Sequence, residues 1–264
     1  MMNPVVVAAL VVGASTLAAA QQAINAADLL FHEPSRIAEI DTEALKGQPA
    51  RLAWSTDGSQ LYLQMMDGQF GRPEAKLSHY VFDVASGERQ EVSVQPEWAS
   101  EYWTAKSGQA SPDTPAFRIE LTSETRIERT VSSPMGGDLA RGGASGAGGG
   151  MVTGGNAAAA AYNRQRVPVH TMLLHGEVVG EFVNSVIVPG LTFGWGPPGS
   201  KLMAYSALRS GRVVVMDEKG TKQEIDGSTD AVLPAWSPDA GRLAWLQKDG
   251  RKKYVLQVVR VSTQ

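Results

Sequence analysis

Few residues in this chain of 264 combine types and spacing that could do chemistry. The histidine cluster His170-Thr-Met-Leu-Leu-His175-Gly-Glu177 holds imidazole and carboxylate donors of the kind zinc takes. On a strand, however, side chains five residues apart project from opposite faces, so the two rings do not share one ion. The Gly-rich stretch around Gly142 to Gly150 has no Lys-Ser/Thr ending to cradle phosphate and follows no strand–helix pattern. Ser145 sits in Gly143-Ala-Ser-Gly-Ala147, which misses the glycine spacing of a nucleophile elbow. With no cysteine, a disulfide framework, thiolate zinc ligation and a Cys nucleophile are all excluded. No residue is therefore assigned a catalytic, cofactor-binding or metal-binding role, and no cofactor is expected. One passage differs in kind: Trp98-Ala-Ser-Glu101-Tyr102-Trp103-Thr-Ala-Lys106 gathers three aromatics and two charges. Glu101, Tyr102, Trp103 and Lys106 are the candidate partner-binding residues, because aromatic and charged groups on a loop make a recognition surface. The competing reading makes Trp98 and Trp103 ordinary core and the remainder a solvated turn.

These residues need a scaffold, and the sequence repeats one. Leu52-Ala-Trp54-Ser-Thr-Asp57-Gly58-Ser-Gln-Leu61-Tyr62, Phe193-Gly-Trp195-Gly-Pro-Pro-Gly199-Ser-Lys-Leu202-Met-Ala-Tyr205 and Pro234-Ala-Trp236-Ser-Pro-Asp239-Ala-Gly241-Arg-Leu243-Ala-Trp245 share one plan. Each is an apolar strand ending in Trp, a tight polar turn and a second apolar strand. Trp195 and Trp236 are 41 residues apart, the period of a four-stranded propeller blade. In the turns, Pro238 presets φ, Asp239 can accept from backbone N–H groups beyond it, and Gly241 can take positive φ at little cost. Asp83 and Asp217 end strands ahead of Gly-containing turns and read as turn residues. The tryptophans are expected to fill the space between neighbouring sheets, each burying ~150–250 Å².

The first blade is expected from about Ala50 to Val94. Trp98, 44 residues after Trp54, suits the start of a degenerate second blade. Within that segment, Pro115 to Leu121 and Thr125 to Val131 read as a strand pair, with Val167 to Leu174 and Glu177 to Val188 flanking a turn at His175-Gly176. Residues 135–161 are dominated by Gly and Ala, too little side-chain area to offset ordering entropy, and are expected to be a flexible insertion. Two compact blades follow, Thr192 to Ile225 and Ala231 to Val261. Residues 23–33 read as a short helix or lead-in strand, and Ser35 to Ile40 as an extra strand that closes the ring by pairing with the last blade. The apolar run from Val5 through Leu17, followed by Ala18-Ala19-Ala20, reads as an export signal over residues 1–20, although no Lys or Arg precedes it. Residues 21–264 are then a single domain.

The Trp-Ser-Pro-Asp-x-Gly turn, the Leu-Ala-Trp or Met-Ala-Tyr strand after it and the Val-Met-Asp strand together resemble the WD-repeat-like β-propeller repeats of the C-terminal domain of TolB and of other exported bacterial propellers. The resemblance covers about Ala50 to Val94 and Thr192 to Val261, and departs from the pattern at Thr56 and Gly196. It implies an all-β propeller of four-stranded antiparallel blades, four recognisable or five in total. It also implies a protein-binding or scaffold role, and carries over no catalytic residue.

A 43% apolar content is that of a globular chain, and a net charge of −3 offers no basic surface for nucleic acid. Lys248 to Lys253 reads as a solvated hairpin tip. The function expected is an exported, periplasmic or secreted, non-enzymatic propeller that binds a protein or cell-envelope partner and does not span the membrane once the signal is removed. The alternatives are a hydrolase or metal-dependent enzyme using the central channel, or the accessory propeller of a peptidase.

Overall fold

The three-dimensional structure is a computed structural model. It describes residues 24–68, 74–106, 110–111, 115–120, 125–129, 164–183, 193–207 and 210–264. The expected export signal and the expected insertion at 135–161 lie outside the described residues.

A 3-10 turn at Ala26–Asp28 leads into β1 (Leu29–Phe31) and β2 (Ser35–Asp41), so residues 23–33 supply both of the elements expected as alternatives. The first sheet is a meander of β3 (Gln48–Trp54), β4 (Gln60–Asp67), β5 (Lys76–Asp83) and β6 (Arg89–Val92). The chain then forms a helix, α1 (Glu97–Lys106), where the opening strand of a degenerate second blade was expected. The sequence favours this: Pro96 precedes the first turn and its carbonyl accepts from the Ala99 N–H, while Ala99, Ala105 and Lys106 are good helix formers.

Next come β7 (Phe117–Glu120), β8 (Thr125–Arg129), β9 (Arg164–Leu174) and β10 (Glu177–Val183). β7 and β8 are not partners of each other. Both pair with the long β9, β7 at its C-terminal half and β8 at its N-terminal half. A second complete meander runs β11 (Phe193–Trp195), β12 (Leu202–Ser206), β13 (Val213–Asp217) and β14 (Lys222–Glu224). The last sheet has β15 (Ala231–Trp236), β16 (Arg242–Lys248) and β17 (Lys253–Thr263) in order. β2 pairs antiparallel with β17 and completes it as a fourth strand, while β1 pairs with the far end of β17. The pairing expected of Ser35 to Ile40 is thus present.

The chain is all-β around antiparallel four-stranded sheets, with a single helix among the described residues. β15 lies between β3 and β11, so three sheets meet along their first strands. The apolar clusters lie between successive sheets. Leu52, Trp54, Leu63 and Phe82 face Ala235, Leu246 and Leu256; Trp236 and Trp245 face Leu202 and Val215; and Phe117 and Met172 face Trp195 and Met203. Trp54, Trp195, Trp236 and Trp245 are all fully buried. At 150–250 Å² each, this is roughly 4–6 kcal/mol of hydrophobic driving force per indole before the entropy of ordering. Trp54 also donates its indole N–H to the Ala235 carbonyl at 2.8 Å, joining the first sheet to the last. The Arg242 guanidinium lies 4.8 Å from the centre of the same ring.

The turns show why Trp-Ser-x-Asp recurs. In both copies the Ser hydroxyl donates to the Asp carboxylate, and the carboxylate accepts the N–H two residues on, Ser59 in one and Gly241 in the other, each at 3.0 Å. These bonds hold Asp57 at a pKa of about 2. The positive φ falls on Gly58 (69°) and, in the last sheet, on Ala240 (58°) rather than on Gly241. Counting from the Ser, the left-handed residue is the fourth of the turn, so Ala240 is the counterpart of Gly58.

Asp217 combines two tasks. Its Oδ1 accepts from Lys219 N–H (2.8 Å) and Thr221 N–H (3.0 Å), the turn role expected of it. Its Oδ2 accepts from Ala26 N–H at 3.0 Å, a buried bond spanning 191 residues that fastens the N-terminal segment to the β11–β14 sheet.

Two stability outcomes follow from these bonds. Trp54→Phe keeps a smaller aromatic ring but strands the buried Ala235 carbonyl, and the lost hydrogen bond is expected to cost about 1–3 kcal/mol in urea unfolding, with the lost packing added to it. Asp217→Asn leaves an oxygen for the turn and turns an amide donor toward Ala26, so hydrogen exchange should speed up at Ala26 while Lys219 and Thr221 stay protected.

Candidate functional site around the single helix

Strand pleating gives the first sheet two unlike faces. Leu52, Trp54, Leu61, Leu63 and Phe82 point toward the last sheet, while the alternate positions Arg51, Ala53, Tyr62, Gln64, His79 and Val81 point the other way. Strand register sets Arg51 opposite Gln64 and Gln64 opposite His79, so three polar residues form one row across β3, β4 and β5. The helix α1 covers this second face through Ala99, Trp98, Tyr102 and Trp103.

A hydrogen-bond chain runs through the row. With its ring neutral at Nδ1, His79 accepts from the Tyr62 hydroxyl at 2.7 Å, and Gln64 Nε2 donates to that same hydroxyl oxygen at 3.3 Å. Gln64 also donates to Gln95 Oε1 at 3.4 Å, and Gln95 donates to Ser100 Oγ of α1 at 2.7 Å. The Tyr62 ring stacks on His79 with centres 6.0 Å apart and takes the edge of Trp98 at 6.1 Å. The helix is thus held by a buried tyrosine that is itself held by a glutamine and a histidine. Burial pushes the Tyr62 phenol up to about 12, with the Gln64 bond and the Arg51 charge pulling the other way. Burial lowers the pKa of His79, favouring the neutral ring that the Tyr62 bond requires.

The four candidate residues fall on α1 and divide. Glu101 is exposed. Tyr102 packs at the junction of two apolar clusters, and its hydroxyl donates to the Trp236 carbonyl at 3.0 Å, tying the helix to the last sheet; burial raises its pKa. Trp103 is half-buried, edge-on to Tyr102, with the Arg51 guanidinium 5.6 Å from its ring centre. Lys106 ends the helix, and its side chain lies outside the described residues. Arg51, Tyr62, Gln64, His79 and Gln95 were not singled out from sequence. Their signal was the polar residue at alternate positions of three strands, which becomes a cluster only once the strand register is known.

The histidine pair is placed differently. His170 lies on β9, whereas His175 occupies the exposed turn before β10 at φ 53°. Among the described residues, no group of three or more His, Asp or Glu side chains is placed to hold a metal ion. At the basic hairpin tip, Lys252 pairs with Glu43, and Lys253 lies 4.0 Å from Glu39, so neighbouring carboxylates balance those charges.

No family model matches the chain, and no curated protein matches it. Among solved structures it overlaps with the Dos1 propeller at 7% identity and a TM-score of 0.26, covering 80% of this chain and 41% of that one. It overlaps with the Cps50 (Swd1) β-propeller domain of Myceliophteria thermophila at 11% identity and a TM-score of 0.27, covering 90% of this chain and 94% of that domain. Dipeptidyl peptidase 4 of Porphyromonas gingivalis gives 11% identity and a TM-score of 0.26, covering 80% of this chain and 35% of the peptidase. The chain spans less than half the length of the Dos1 and peptidase chains. The overlaps are loose, and the fold description rests on the strand pairings above.

Because the folded His79 has a lowered pKa, the folded chain binds fewer protons than the unfolded one below the ordinary value of 6.5. Stability from this group is full above that value and is lost as pH falls toward the folded pKa. The urea midpoint should therefore drop between about pH 7.5 and about pH 5, and His79→Gln should remove part of that drop.

Proposed function

We propose that this chain is a β-propeller of four blades, exported to the periplasm or beyond, that binds a protein or cell-envelope partner through the face carrying α1. The blades would be the β3–β6 sheet, the sheet containing β7, β9 and β10, the β11–β14 sheet, and β15–β17 completed by β2. The observation that carries the binding reading is α1, the single helix among the described residues. It replaces repeat structure with a surface that combines exposed Glu97 and Glu101, half-buried Trp98 and Trp103, and Val94 at 70% exposed. Large apolar side chains at the border of an otherwise packed element mark contact surfaces more often than isolated ones do. The meeting of three sheets along their first strands supports the propeller reading, because a rigid radial scaffold positions irregular elements at its rim. Among the described residues no helix is long and apolar enough to cross a membrane.

The test is site-specific photocrosslinking in intact cells, with the crosslinker at position 101 and, as a control, at position 249 on the hairpin tip. The expected outcome is an adduct of one defined mass from position 101, absent from position 249, in the envelope fraction. Adducts from neither position, or a protein confined to the cytoplasm, would overturn the reading.

A further inference from the structure

Arg51 brings a positive charge to the face that α1 covers. Arg36, Lys201, Arg212, Lys252 and Lys253 each lie beside a carboxylate. Arg51 has no carboxylate within ion-pair distance among the described residues, and its Nε is buried without an acceptor. A half-buried guanidinium with no counter-charge is costly, and the surrounding structure holds it in place. β3 fixes its backbone beside Gln64, and Trp103 presents its ring 5.6 Å from the guanidinium carbon. A cation–π contact of this kind takes no hydrogen bond from the guanidinium. It leaves the N–H edge, which matches a carboxylate in plane with two parallel hydrogen bonds. The half-buried Trp98 takes the edge of Tyr62 on the same face, and the partly exposed His79 lies in the same cross-strand row as Arg51.

We propose that Arg51 is the anchor for a carboxylate on the partner, an acidic side chain of a protein segment laid against α1 and the β3–β5 face. This rests on the reading of that face as the partner surface and names the chemistry it recognises. The partner's carboxylate takes the N–H edge of Arg51, while apolar atoms beside it rest on Trp98 and Trp103. Exposed Glu97 and Glu101 on the helix set the register by repelling acidic groups that miss the arginine.

The test uses the full chain and a blocked tetraglutamate peptide, with its tetraglutamine counterpart and sodium sulfate as comparison probes. Binding is followed by calorimetry and by the NMR signal of the Arg51 Nε–H. Tetraglutamate should bind and shift that signal, and tetraglutamine should not. Arg51→Met should weaken binding at least about tenfold, a loss of about 1.4 kcal/mol. Arg51→Lys, which keeps the charge without the fork, should fall between. If Arg51→Met fails to fold, the Nε–H shift in the unaltered chain and the Arg51→Lys affinity still decide. Unchanged affinity in the folded Arg51→Met variant, or no binding to the unaltered chain, overturns the proposal. Sulfate binding as tightly as tetraglutamate overturns it too, since that would mark a site for free inorganic anions. Peptide binding at Arg51 without an adduct from position 101 defeats only the partner-surface reading. An adduct from position 101 without peptide binding defeats only the carboxylate assignment.

Discussion

The buried bond from the Trp54 indole to the Ala235 carbonyl joins residues 181 positions apart in the chain. Two sheets from opposite ends of the sequence can pack face to face only if their first strands approach closely, and Trp54 sets that approach. Its ring fills the gap, its N–H satisfies a carbonyl that water cannot reach, and the Arg242 guanidinium covers its outer side. The neighbouring packing inherits this geometry. β15 touches β11 on its other side, and Trp236 and Trp245 seal that second seam with Leu202 and Val215.

The N-terminal segment applies the same constraint at the sheet margin. β2 gives β17 its partner, and without it the longest strand of the last sheet would offer a row of open backbone groups. Beyond β2 the segment continues to β1 and on to the 3-10 turn, where Ala26 reaches the carboxylate of Asp217. One side chain thus closes a local turn with one oxygen and holds a distant strap with the other. Local and long-range order meet in it, and the N-terminal strap ties the last two sheets together.

The helix on the first sheet is held in a different way. Its contacts with the sheet are aromatic and polar together: Tyr62 under Trp98, the Gln64–Gln95–Ser100 chain, and Arg51 beside Trp103. An apolar interface would have been simpler to build at the same positions, as the opposite face of the sheet demonstrates. Polar groups in such a place lose water and regain hydrogen bonds only in one arrangement, which fixes the position of α1 more narrowly than oil-like packing would. That narrow placement keeps Glu101 outward and brings Trp103 beside Arg51.

The sequence alone carried the strands and turns, because their signals are local. Alternating apolar residues, Trp at a strand end and Ser-x-Asp in the turn act within a few residues, and the meanders β3–β6 and β11–β14 appeared where those patterns lie. It did not single out Ala240, since a glycine in a turn does not reveal which position of that turn needs the left-handed backbone. It also placed the opening strand of the second blade where α1 forms, because Trp98 falls at the repeat spacing while the helical preference of its neighbours carries no comparable landmark. The Arg51–Gln64–His79 row lay beyond its reach. Three residues far apart in sequence become neighbours only through the pairing of three strands, and register is decided by which faces the tertiary core buries.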